Sequence, residues 1–94
     1  LDMRTVEQFE RAHIRGAVNL TYNNFQQKAF EYIEDSMTIL VIDQGGARAA
    51  EMAVWLRSRG VHARYLTGGM TAWRGAFASC PKLPTACSAF GPAR

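Results

Sequence analysis

Ninety-four residues, 48% hydrophobic and 20% charged, are enough for one small core, which excludes a multidomain chain and a largely disordered one. The net charge of +3 is uneven: residues 1 to 43 hold four basic against seven acidic side chains, whereas residues 44 to 94 hold seven basic against Glu51 alone. A basic half favours anionic partners, but no stacking aromatics or nucleic-acid motif accompany these arginines, so solvated helix surfaces are the simpler reading and no nucleic-acid partner is expected.

The chain opens directly on an apparent strand at Leu1-Asp2, so the expectation is a domain cut from a longer protein whose earlier residues complete the fold. Thr5-Val6-Glu7-Gln8 has the spacing of a capping box, and Val6, Phe9 and Glu10 follow at helical spacing, which predicts a short helix over 6–12. His13-Ile14-Arg15-Gly16 breaks it, and Ala17-Val18-Asn19-Leu20 reads as a short strand. Phe25, Lys28, Ala29, Tyr32 and Ile33 recur at three and four, predicting a helix over 23–33. Met37 to Ile42 is nearly continuous and apolar, the pattern of a strand buried on both faces of a parallel sheet.

Ala49, Met52, Ala53 and Leu56 mark a further helix that Gly60 ends. Val61 to Leu66 reads as a strand, and Gly68-Gly69 turns the chain into a last helix around 70–74. This alternation predicts an α/β sandwich with a mostly parallel sheet over residues 1–77. Residues 78–94 hold all three prolines and both cysteines and read as a tail or linker. Cys80 and Cys87 give no disulfide framework, and a reduced cytoplasmic pair is expected. With His13 and His62 they lack the paired short spacings of a zinc set, so neither metal nor cofactor is expected. No apolar run approaches the roughly 18–20 residues of a membrane span, and no signal-peptide progression opens the chain, so no membrane association is expected.

In such sheets ligands sit beyond the carboxyl ends of strands, where a loop leads into a helix. The loop Gln44-Gly45-Gly46-Ala47-Arg48 occupies that place. Its glycines permit close backbone approach, its amides can converge, and a helix N-terminus follows, so an anion site is the physical default. Yet the preceding residue, Asp43, is itself an anion. Its carboxylate is placed to accept hydrogen bonds from the amides of Gly45 to Arg48, in the manner of an N-cap worth roughly 0.5–2 kcal/mol. Arg48 either pairs with Asp43 across the loop or faces solvent. A second anion about 4 Å away would be repelled by about 4 kcal/mol at an effective dielectric of 20, so small anions should bind weakly or not at all.

These residues carry a resemblance. Leu1-Asp2-Met3-Arg4, Glu7-Gln8-Phe9 and Ala12-His13-Ile14-Arg15-Gly16-Ala17-Val18-Asn19 resemble the opening D-x-R, helix, G-H-I-x-G-A-x-N pattern of rhodanese domains. Tyr65-Leu66-Thr67-Gly68-Gly69-Met70-Thr71-Ala72-Trp73 is similar to their closing L-x-G-G-x-x-x-W, and Asp43 to Arg48 matches their active loop C-x-x-G-x-R with Gly46 and Arg48 in register. The resemblance implies a three-layer α/β/α sandwich, with a family strand and helix ahead of Leu1, and sulfur transfer through a cysteine persulfide. Asp43 stands at the cysteine position. A carboxylate is a poor nucleophile toward sulfur and cannot store it as persulfide, so ordinary rhodanese catalysis is expected to be absent.

The expected function is therefore a catalytically inactive, regulatory or protein-interaction module of a larger protein, whose partner is another protein or a neighbouring domain. The alternative is the non-catalytic half of a tandem thiosulfate or mercaptopyruvate sulfurtransferase. A third reading makes Asp43 a phosphoacceptor, but the loop offers no acidic neighbours to hold the magnesium ion that chemistry needs. His13 falls in what the resemblance implies is a structural turn. Trp73 is expected to anchor the last helix in the core, and Trp55 to contribute to an exposed patch.

Overall fold

The computed structural model describes residues 1–34, 36–75 and 77–78. The expected tail, with Cys80 and Cys87, lies outside the described residues beyond residue 78.

Helix α1 (Val6–Arg11) starts with the capping box that the sequence predicts: the Gln8 amide donates to Thr5 Oγ1 and the Thr5 amide to Gln8 Oε1, both at 3.2 Å. It stops at Ala12, whose backbone is extended. The following His13–Ile14, expected only to break the helix, is strand β1, paired antiparallel with β4 (Phe77–Ala78). The stretch expected as a strand, residues 17–20, instead makes one parallel bridge, Asn19 with Asp2. The cause is local. Gly16 turns the chain at a φ of 86°, with the Ala17 amide donating to Ile14 O, and only the residues opposite Asp2 then fall into register.

Asp2 bridges Asn19 on one side and Ile42 on the other, both in parallel. The Asp2 amide donates to Val18 O and the Met3 amide to Ile42 O, each at 2.8 Å. Strand β2 (Thr38–Val41) in turn pairs parallel with β3 (His62–Tyr65), in register Ile39 with Ala63 and Val41 with Tyr65. Helix α2 (Tyr22–Lys28) passes into a 3-10 turn over Ala29–Glu31 where the periodicity predicts one helix to residue 33. The tightening leaves Ala29 fully buried and Phe30 49% exposed.

Helix α3 (Ala47–Ser58) presents Ala49, Met52, Ala53 and Leu56 to the core, all four buried as their spacing predicts. They meet Phe25 and Ala29 from the α2 side and Ile39, Val41 and Ala63 from the sheet. Gly60, at a φ of 85°, ends the helix: its amide donates to Arg57 O and that of Val61 to Leu56 O, a Schellman closure. Strand β2 departs from the expectation of burial on both faces. Ile39 and Val41 are buried, but Leu40 is 40% exposed, because α3 packs on one face and no described element covers Leu40 to the same degree. Helix α4 (Gly69–Ala72) closes the described order ahead of β4.

Candidate functional site

Asp43 follows directly on the bridge at Ile42 and is buried, 7% exposed. Its Oδ1 accepts a hydrogen bond from the Gly46 amide, and its Oδ2 accepts from the amides of Arg48 at 2.9 Å and Ala49 at 3.1 Å. The donors are thus Gly46, Arg48 and Ala49 rather than a run from Gly45 to Arg48. Arg48 and Ala49 belong to the first turn of α3, whose amides lack intrahelical partners. The cap residue Gly46 has no side chain and stands at a φ of 102°. Asp43 therefore does the capping from three residues upstream.

The loop is held from behind by α4. The Met70 amide donates to Asp43 O at 2.9 Å, and the Thr71 amide to Gln44 O at 3.2 Å, so the open amides of one short helix satisfy the carbonyls of the loop that starts another. This contact needs glycine: a Cβ on Gly69 would lie 2.5 Å from Asp43 O, and one on Gly46 3.0 Å from the Gly68 amide nitrogen. Sequence reasoning read Gly68-Gly69 as a turn and missed its role in clamping the loop. The paired glycines after Leu66 were the available signal.

In front of the loop runs an open groove of about 640 Å³, walled by Arg4, Thr5, Gln8, Tyr22, Gln44 and Arg48. Gln44, Gly45 and Ala47 stand exposed along the loop, whereas Gly46 is buried. Arg48 does not pair with Asp43, correcting that reading. Its guanidinium carbon lies 4.5 Å from the ring centroid of Tyr22, because the Asp43 oxygens already accept three amides and the first turn of α3 directs the side chain outward. The Tyr22 hydroxyl donates to Glu51 at 3.2 Å, a contact the sequence did not suggest.

The wall at Arg4 is rigid for a separate reason. Arg4 Nε donates to Asp2 Oδ1 at 3.0 Å and Nη2 to Oδ2 at 2.9 Å, while Nη2 also reaches Ala12 O at 2.7 Å. Asn19 Nδ2 donates to the carbonyls of Asp2 and Arg4. His13 stands apart from the loop. It is 1% exposed, stacks on Phe9 at 3.9 Å, and donates from Nδ1 to Phe9 O at 2.8 Å, since a carbonyl can only accept. Trp55 is half-buried, edge-on to buried Phe25, and Trp73 is half-buried at the end of α4. Among the described residues no three of His, Cys, Asp and Glu cluster as a metal set, and no helix is long and apolar enough to cross a membrane.

The family model of the rhodanese-like domain matches residues 1–76. No curated protein matches the chain. Among solved structures, the SSP1007 protein of Staphylococcus saprophyticus subsp. saprophyticus is 30% identical, with 73% of this chain and 68% of that one covered at a TM-score of 0.68. A rhodanese-like domain protein from Staphylococcus aureus is 22% identical over 85% of this chain and 78% of its own, with a TM-score of 0.77. A rhodanese-related protein from Thermoplasma volcanium is 21% identical over 83% and 80%, with a TM-score of 0.76. The family match over residues 1–76 agrees with the small α/β fold described above, and the chain belongs to the rhodanese-like domain family.

Proposed function

We propose that this domain is a non-catalytic rhodanese-homology module that serves a larger protein by binding a partner protein or a neighbouring domain. One observation carries the reading: the residue at the head of the loop is Asp43, and its two carboxylate oxygens take the amides of Gly46, Arg48 and Ala49. An aspartate offers no thiolate to attack or carry sulfur. It also occupies, as an internal anion, the donors that an incoming anion would need. A thiosulfate about 4 Å from that carboxylate meets repulsion of about 4 kcal/mol per unit charge at an effective dielectric of 20, of which the Arg48 guanidinium, stacked on Tyr22 in the wall of the same groove, recovers only part.

The test is the substitution Asp43→Cys. The unmodified chain should transfer no sulfur from thiosulfate or mercaptopyruvate to cyanide, and the Asp43→Cys variant should show measurable thiosulfate sulfurtransferase activity, because the glycine clamp and the loop amides remain. Transfer by the unmodified chain sinks the proposal. A folded variant with a reactive thiol that never forms a persulfide means that the loop geometry, and not the nucleophile alone, has departed from catalysis.

A further inference from the structure

The face made by α2 and α3 carries an arrangement that the loop chemistry does not use. At about 1.5 Å and 100° per residue, Trp55 on α3 and the cap residue Arg59 each fall within about 20° of Arg48, a stripe about 40° wide, with the two arginines about 16 Å apart along the axis. Each guanidinium lies over a ring: Arg48 over Tyr22 at 4.5 Å and Arg59 over Trp55 at 5.4 Å. Beside Trp55 stands Phe30, its ring centroid 5.7 Å away and 49% exposed, and Val54 on the same helix is 61% exposed. Among the described residues the one ion pair is Arg4 with Asp2, so neither stacked guanidinium has a carboxylate partner there. The acid one turn from Arg48, Glu51, accepts from the Tyr22 hydroxyl. Together α2, its 3-10 turn, α3 and its cap residue carry Lys28, Arg48 and Arg59 against Glu31 and Glu51, while Arg57 turns away to donate to Ala63 O on β3.

Stacking fixes a guanidinium plane at little entropic cost and leaves its N–H edges open to a carboxylate. An apolar surface of exposed Phe30 and Val54 around half-buried Trp55, flanked by two such cations, suits a segment that offers apolar side chains in its middle and acids at its flanks. We propose that the α2–α3 face docks an acidic amphipathic helix of a partner protein, with its apolar side chains against Phe30, Val54 and Trp55 and its carboxylates on Arg48 and Arg59. The proposal rests on the reading of the domain as an interaction module and names the chemistry of its partner.

The experiment titrates the 94-residue chain by calorimetry with a helical peptide of about 16 residues, long enough to span both arginines, bearing a leucine face flanked by glutamates. The same peptide with lysine for every glutamate is the control. The glutamate peptide should bind and weaken as salt rises, while the lysine peptide should not bind. Arg59→Glu and Phe30→Ala, both at exposed positions and checked for folding by circular dichroism, should each weaken binding by about tenfold or more. Absence of binding by the glutamate peptide, equal binding of both peptides, or indifference to both substitutions overturns the proposal. Sulfur transfer, assayed on the same preparation, distinguishes its failure from that of the non-catalytic reading, since the assay depends on residue 43 and the titration does not.

Discussion

Among the described residues two aspartates are buried, and they are stabilised in different ways. Asp2, 0% exposed, meets a full opposite charge in the forked guanidinium of Arg4. Asp43, 7% exposed, meets no cation and is held by three backbone amides at the start of α3. The first arrangement ties the N-terminal segment around Asp2 to the end of α1 through Ala12 O, and gains its worth from a pair that fails together. The second spends dipoles that point at a loop mouth, where the same amides would serve any anion of the right size. The comparison teaches that one carboxylate ties together segments distant in the chain, whereas the other caps the helix that follows its own loop.

The largest expected effect breaks the scaffold pair. Asp2→Ala leaves the Arg4 guanidinium, itself 8% exposed, without its partner, and should cost about 3–5 kcal/mol in urea unfolding. A loss below about 1 kcal/mol would mean that Arg4 swings into solvent and that the pair contributes little.

Next comes the site carboxylate. Asp43→Ala removes the acceptor of three amides and should cost about 3 kcal/mol, at about 1 kcal/mol per hydrogen bond. Asp43→Asn, which keeps one acceptor oxygen, should lose roughly half as much. The sharper readout is ligand linkage: added thiosulfate should raise the melting temperature of Asp43→Ala and leave that of the unmodified chain unchanged. If both respond alike, the carboxylate does not exclude anions.

The smallest effect concerns the amine that the 94-residue chain, taken by itself, carries beside Asp2. Burial lowers the pKa of the Leu1 amine from 8.0 to about 6, against an opposing upward pull from the Asp2 charge. Between those values the unfolded chain holds the proton that the folded chain has shed, so stability rises with pH. The contribution is complete above about pH 8 and is lost as pH falls through about 6. Discounted for the partial exposure of Leu1, it amounts to no more than about 2 kcal/mol. Denaturation midpoints of the 94-residue chain at pH 8 and pH 6 should differ accordingly, and acetylation of the amine should flatten the dependence.

Local chemistry was legible wherever a few neighbouring residues decide the outcome. The capping box at Thr5 and Gln8, the closure of α3 at Gly60, the buried stripe of Ala49, Met52, Ala53 and Leu56, and the carboxylate that folds back onto its own loop all depend on spacings of at most a turn or two. These are periodicities and short-range hydrogen bonds, and a sequence writes them directly. The expectation that the Asp43 carboxylate accepts from amides of its own loop was therefore readable from the residues.

Contacts between distant segments decided the rest. That Arg48 turns to Tyr22, that the α4 amides clamp the carbonyls of Asp43 and Gln44, that Asp2 sits between Asn19 and Ile42, and that Leu40 keeps an exposed face are each set by an element far away in the chain. No period or motif encodes which helix ends up beside which loop, because side-chain direction and burial follow from packing that exists only once the sheet has formed. The sequence alone determined the chemistry available at residue 43; the tertiary structure decided which donors it meets and left Arg48 and Arg59 stacked on aromatic rings.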